Sequence, residues 1–110
     1  MKKLILLLAI TLLSACASVD VTKTSQGFHN PTDPNLVEIL KTVPKRSYEE
    51  LGTITVTGFA ADDTAKMHNA IRAKSAPLGA NAAVITDEGI IKDGWSLERW
   101  ATGVAIRYKD

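Results

Sequence analysis

Apolar and polar positions change their rhythm four times along this chain. An apolar run from Leu4 to Leu13, interrupted only by Thr11, comes first. The stretch 17–35 then carries Ser, Thr, Asp, Asn and Gln with Pro31, Pro34 and Gly27, and only Val19, Val21 and Phe28 are sizeable apolar groups. So little apolar surface does not offset the entropy of ordering the backbone, and the composition predicts a flexible tether. From Leu36 to Val43 apolar residues dominate alternate positions until Pro44 removes a backbone donor, which predicts a first strand. Residues 51–59 give the cleanest period of two, with Ile54 and Val56 on one face and Thr53, Thr55 and Thr57 on the other. That predicts a second strand with one wet face.

The period then lengthens. Met67, Ile71 and Leu78, supported by Thr64 and Ala70, fall on one stripe at 100° per residue, with Lys66, Asn69 and Arg72 elsewhere. Asp62 or Asp63 is a suitable N-cap, because a short carboxylate accepts from the open N–H groups of a first turn. Pro77 ends the helix near Ser75. Residues 82–86 predict a third strand, followed by a turn at 87–89 or 92–94. Residues 100–108 predict a last strand, with a heavy face of Trp100, Val104, Ile106 and Tyr108 and a light face of Ala101, Gly103 and Ala105. The order strand, strand, helix, strand, strand specifies an α+β domain, with a four-stranded sheet and one amphipathic helix packed on one face.

The first run has a different meaning. Lys2 and Lys3 precede it, Ser14 and Ala15 are small, and ten to thirteen apolar residues fall short of the roughly 20 that cross a bilayer. Leu13-Ser14-Ala15-Cys16 resembles a bacterial lipobox. The resemblance implies a signal peptide over residues 1–15 and a mature chain that starts at Cys16, acylated on sulfur and amine. Several acyl chains make such attachment effectively permanent, whereas a single chain binds reversibly. Ala17, where an Asp would signal inner-membrane retention, implies an outer-membrane anchor with the domain facing the periplasm. The expected division is therefore signal peptide 1–15, lipidated Cys16 and tether to residue 35, and a periplasmic domain over 36–110.

Removing residues 1–15 from the 110-residue chain leaves 95, enough for one small domain. Loss of Lys2 and Lys3 from the 13 basic residues leaves eleven against 12 acidic ones. A near-neutral domain whose longest basic cluster is Lys45-Arg46 has no field for nucleic acid, and none is expected as a partner. Cys16 is the one cysteine, so the mature domain has no thiol pair for a disulfide.

Tyr48-Glu49-Glu50-Leu51-Gly52, Leu78-Gly79-Ala80-Asn81-Ala82-Ala83-Val84-Ile85 and Thr102-Gly103-Val104-Ala105-Ile106 resemble, in order and spacing, a family of small bacterial domains. It comprises the YbjQ-type domains and the Rcs envelope-stress sensor lipoproteins. The resemblance covers residues 36–109. It implies a non-enzymatic domain in envelope stress sensing or assembly, or a self-assembling module that binds a small ligand or a metal.

Candidate chemistry is sparse. His29 and His68 with Asp62 or Asp63 do not make a helical metal pair, because Asp63 and His68 are five apart where i,i+3 or i,i+4 is needed. His68 is expected at the surface beside the apolar stripe. No nucleophile elbow, phosphate loop or dinucleotide fingerprint is present, and neither catalysis nor a cofactor is expected. Trp95 and Trp100 lie five apart, so in one strand they project from opposite faces and one of them is left exposed. Trp95, Trp100, Lys45, Arg46 and Tyr48 form the candidate partner surface, for an envelope protein or a second copy of the chain.

Overall fold

The computed structural model describes residues 17–109. The expected signal peptide and lipidated Cys16 lie outside the described residues. Among the described residues, five strands form one mixed sheet in the order β1-β3-β5-β4-β2, with one α-helix, α1, over one face. The strands are β1 (Ser18–Lys23), β2 (Glu38–Leu40), β3 (Tyr48–Ala60), β4 (Ala82–Asp93) and β5 (Ser96–Tyr108), and α1 is Thr64–Ser75. All ladders are antiparallel except β2 with β4.

The α+β class and the covering helix stand, but the sheet has five strands where the pattern predicts four. The extra strand is β1, inside the predicted tether. It runs antiparallel to β3 from Ser18 opposite Thr57 to Lys23 opposite Gly52, and Val19 packs against the core. The segment after it is also fastened. The Thr24 and Ser25 amides donate to Leu51 O, the Thr32 amide donates to Ala76 O, and the Thr32 hydroxyl donates to Ala80 O at 2.6 Å. Long-range pairing, invisible in local composition, supplies the order that a polar sequence cannot supply itself.

The predicted first strand shrinks to Glu38–Leu40 because Leu36 belongs to a short 3-10 turn (Pro34–Leu36) and Val37 O accepts from Arg72 Nε at 3.0 Å. Of the two expected turns the later one forms, so β4 and β5 both run longer than the 82–86 and 100–108 expected. β4 continues through 87–89 by a bulge at Thr86 and turns only at Gly94 and Trp95. Gly94 takes φ +62° while Trp95 keeps φ negative, the two-residue turn in which glycine occupies the first central position.

Asp63 caps α1, its carboxylate accepting from the Lys66 amide at 3.2 Å. Met67 and Ile71 point from α1 into the sheet and are fully buried against Ile54, Val56, Ala83, Ala101 and Ala105. The light face of β5 is what permits this approach: a β-carbon built on Gly103 would already touch Ile71 Cγ2 at 3.7 Å.

Candidate functional site: the open face of the sheet

No second layer covers the face of the sheet away from α1 among the described residues. Strand parity assigns its occupants: Ser18, Asp20 and Thr22 from β1, Thr53, Thr55 and Thr57 from β3, and Trp100, Thr102, Val104, Ile106 and Tyr108 from β5. Val104 and Ile106 lie opposite Val84 and Ala82 of β4. The face therefore divides into a threonine field and an apolar end. Ser18 and Thr57 share a hydroxyl hydrogen bond of 2.7 Å across β1 and β3, and Thr55 and Thr102 share one of 3.4 Å.

At the apolar end Ala82, Val84 and Ile106 are buried without a covering layer, because Leu40, Tyr48, Val104 and Tyr108 pack against them. Tyr48 and Tyr108 are cross-strand partners, and the Arg46 guanidinium stacks 3.8 Å from the centroid of the Tyr108 ring. Lys45 is exposed beside it. The result is an aromatic platform rimmed by cations.

Trp100 lies on the same face, toward the other end. Its indole rests on Gly89, where an added β-carbon would lie 2.8 Å from Trp100 Nε1. Of the candidate surface residues, Arg46, Tyr48 and Trp100 thus belong to one side of the sheet, with Lys45 exposed in the loop before β3. Trp95 does not join them. It sits fully exposed at the hairpin turn, about 13 residues of strand, or about 44 Å, from Tyr108. Tyr108, Leu40 and Val104 complete the platform. Tyr108 was legible as part of the heavy face of the last strand, but its pairing with Tyr48 depends on a long-range register.

The helix side carries a polar cluster that the sequence pattern does not announce. Glu88 accepts from Lys41 and lies 3.8 Å from Arg99, whose Nε and Nη2 both donate to Ala61 O. The Lys41 hydrogen bond holds the Glu88 carboxyl below its usual pKa, with help from the charges of Lys41, Arg99 and His68 and against partial burial. His68 is half-buried on the flank of the apolar stripe. Its Nε2 is buried without a hydrogen-bond partner, and burial lowers its pKa below 6.5, helped by Lys41, Arg72 and Arg99 and opposed by Glu88. His29 is occupied elsewhere, its Nε2 lying 2.8 Å from Glu49 Oε2. Among the described residues, no three His, Cys, Asp or Glu side chains converge as a metal site would require.

No protein-family model matches the chain, and no curated protein is similar to it. Among solved structures, a crystal structure of the Francisella virulence factor FvfA matches with a TM-score of 0.64 at 13% identity, over 86% of this chain and 99% of that one. The two chains share a fold. At that identity the likeness extends to the architecture alone.

Proposed function

We propose that this protein is an outer-membrane lipoprotein, anchored through Cys16, whose periplasmic domain binds another envelope protein without catalysis. The observation that carries the reading is the open sheet face: an uncovered surface with an aromatic and cationic platform of Arg46, Tyr48 and Tyr108 at one end and Trp100 at the other. Aromatic and arginine side chains on a rigid surface are the groups that dominate binding energy at protein interfaces. A sheet also presents them with little entropy left to lose. The role in stress sensing or assembly follows from the family resemblance of the 48–52, 78–85 and 102–106 segments.

A photo-crosslinking residue placed at Lys45 or Tyr48 in the full-length protein tests this in cells. The expected result is one discrete protein adduct, absent when the probe is moved to the exposed Lys74 on α1 and lost on Thr55→Arg in the middle of the face. Equal labelling from Lys74 contradicts the reading.

The self-assembling module is the second reading, favoured by one feature. β2 pairs with β4 only at 82–84, so the outer edge of β4 beyond residue 84 has no strand beside it among the described residues. Adducts made only with a second copy of the chain would select this alternative.

A further inference from the structure

We infer that the β4–β5 hairpin tip is a second membrane contact, which dips into the interfacial zone of the same bilayer that holds Cys16. The inference rests on the lipid-anchor reading and extends it. Antiparallel pairing of β1 with β3 fixes the direction in which the chain leaves the domain. Ser18 lies opposite Thr57, so the preceding residues head toward the Ala60 end of β3. The hairpin projects from that same end: Ala60 pairs with Glu98, and the ladder of β4 and β5 continues past it to Asp93 and Ser96.

Simple strand lengths give the depths. Ser18 is level with about residue 100 of β5, and Trp95 is five residues farther, or about 17 Å. Residue 16 is two residues before Ser18, a reach of about 7 Å. The tip therefore extends at least about 10 Å past the farthest reach of residue 16. That matches the 5–10 Å to which interfacial segments bury their apolar groups.

The tip has the composition for this. Trp95 is fully exposed, and Ile90, Ile91 and Leu97 are each at least half exposed. By strand parity Ile91 faces the open side while Ile90 and Leu97 face the helix side. A protein partner docking on a flat surface covers one side, whereas exposed apolar groups on both sides and at the end, set among Lys92, Ser96 and Glu98, suit the mixed apolar and polar medium of a membrane interface. Residues 90–97 carry one Lys and one Asp, so the contact is apolar and depends little on salt. Beyond Ala60 the β5 edge has no partner strand among the described residues, and unpaired backbone groups are not tolerated in hydrocarbon. The tip accordingly stops among the headgroups, where tryptophan is enriched.

The test uses the full-length protein carrying Trp100→Phe, so that Trp95 reports alone, purified from membranes, checked for acylation by mass and reconstituted in phosphatidylethanolamine–phosphatidylglycerol vesicles. The expected result is a blue-shifted emission that is quenched by lipids bearing a shallow doxyl group and protected from aqueous iodide. An acylated protein whose Trp95 is open to iodide and untouched by doxyl lipid overturns the inference. Protection from iodide without doxyl quenching assigns the tip to a protein contact and overturns it too. Should the mass show no acyl chain, the anchor reading fails separately. The same vesicles added to that unacylated protein then decide the tip alone, with doxyl quenching for it and its absence against it. Wild-type emission minus that of Trp95→Phe gives the same reading should Trp100→Phe perturb the fold.

Discussion

At the scale of single residues, two side chains report on the two faces of the sheet. Trp100 lies flat because Gly89 leaves room for it, with less than van der Waals distance available for one added carbon. Gly89→Ala is expected to lift the indole and cost about 1–3 kcal/mol, the usual penalty for overpacking. The check is a denaturant midpoint together with the emission of Trp100 in a Trp95→Phe background. On the other face, the His68 ring binds its proton less readily than a histidine in the unfolded chain, which titrates near 6.5. Below that pH the unfolded state takes up more protons, so the His68 contribution is complete above 6.5 and declines as the pH falls toward the lowered folded value. Chemical denaturation at pH 7.5 and 5.5 should show wild type losing more stability than His68→Gln. An equal loss would mean that burial, with the charges of Lys41, Arg72 and Arg99 against that of Glu88, leaves the ring unperturbed.

At the scale of elements, legibility tracked how local each signal was. Helix α1 was legible except for the choice of cap between Asp62 and Asp63, which falls to Asp63: Met67 and Ile71 mark its inner stripe and Pro77 its end. Asp63→Ala is expected to cost about 1 kcal/mol in thermal or denaturant melts, through loss of the cap to the Lys66 amide. The threonine face of β3 and the heavy and light faces of β5 were equally local, since a period of two needs no partner to be seen. Strand β1 was not legible, because two valines in six residues look like a tether until Thr57 to Gly52 supply the ladder. The choice between the turns at 87–89 and 92–94 was open in the sequence for a related reason. Asp87-Glu88-Gly89 has turn chemistry, but β5 holds it extended after the bulge, and its glycine serves as the seat of Trp100. A fragment that starts at Leu36 therefore lacks β1 and the 24–35 strap. Its midpoint should fall by the equivalent of about 1–2 kcal/mol for the exposed core contacts of Val19 alone. A fragment as stable as residues 17–110 would show that β1 contributes nothing.

At the scale of the whole molecule, the ordering of residues 18–36 changes what an anchor at Cys16 would do. With a free tether the domain would tumble beneath the membrane, and its faces would be equivalent. With β1 beginning two residues after Cys16, the long axis of a body of 56 × 32 × 22 Å is tied at one end, and the hairpin tip lies at that same end. Under such an anchor the platform of Arg46, Tyr48 and Tyr108 would be carried at the far end of the sheet, away from the bilayer. The candidate surface was legible as residue types, but not as one surface: only the register of β3 with β5 reveals that Tyr48 and Tyr108 meet and that Trp95 stands apart. Everything in this arrangement hangs on the anchor. The most direct measurement is the intact mass of the full-length protein extracted from membranes. The account predicts a chain that begins at Cys16 and carries diacylglycerol and an amide-linked acyl group; a chain that retains residues 1–15, or that carries a free thiol at Cys16, would contradict it.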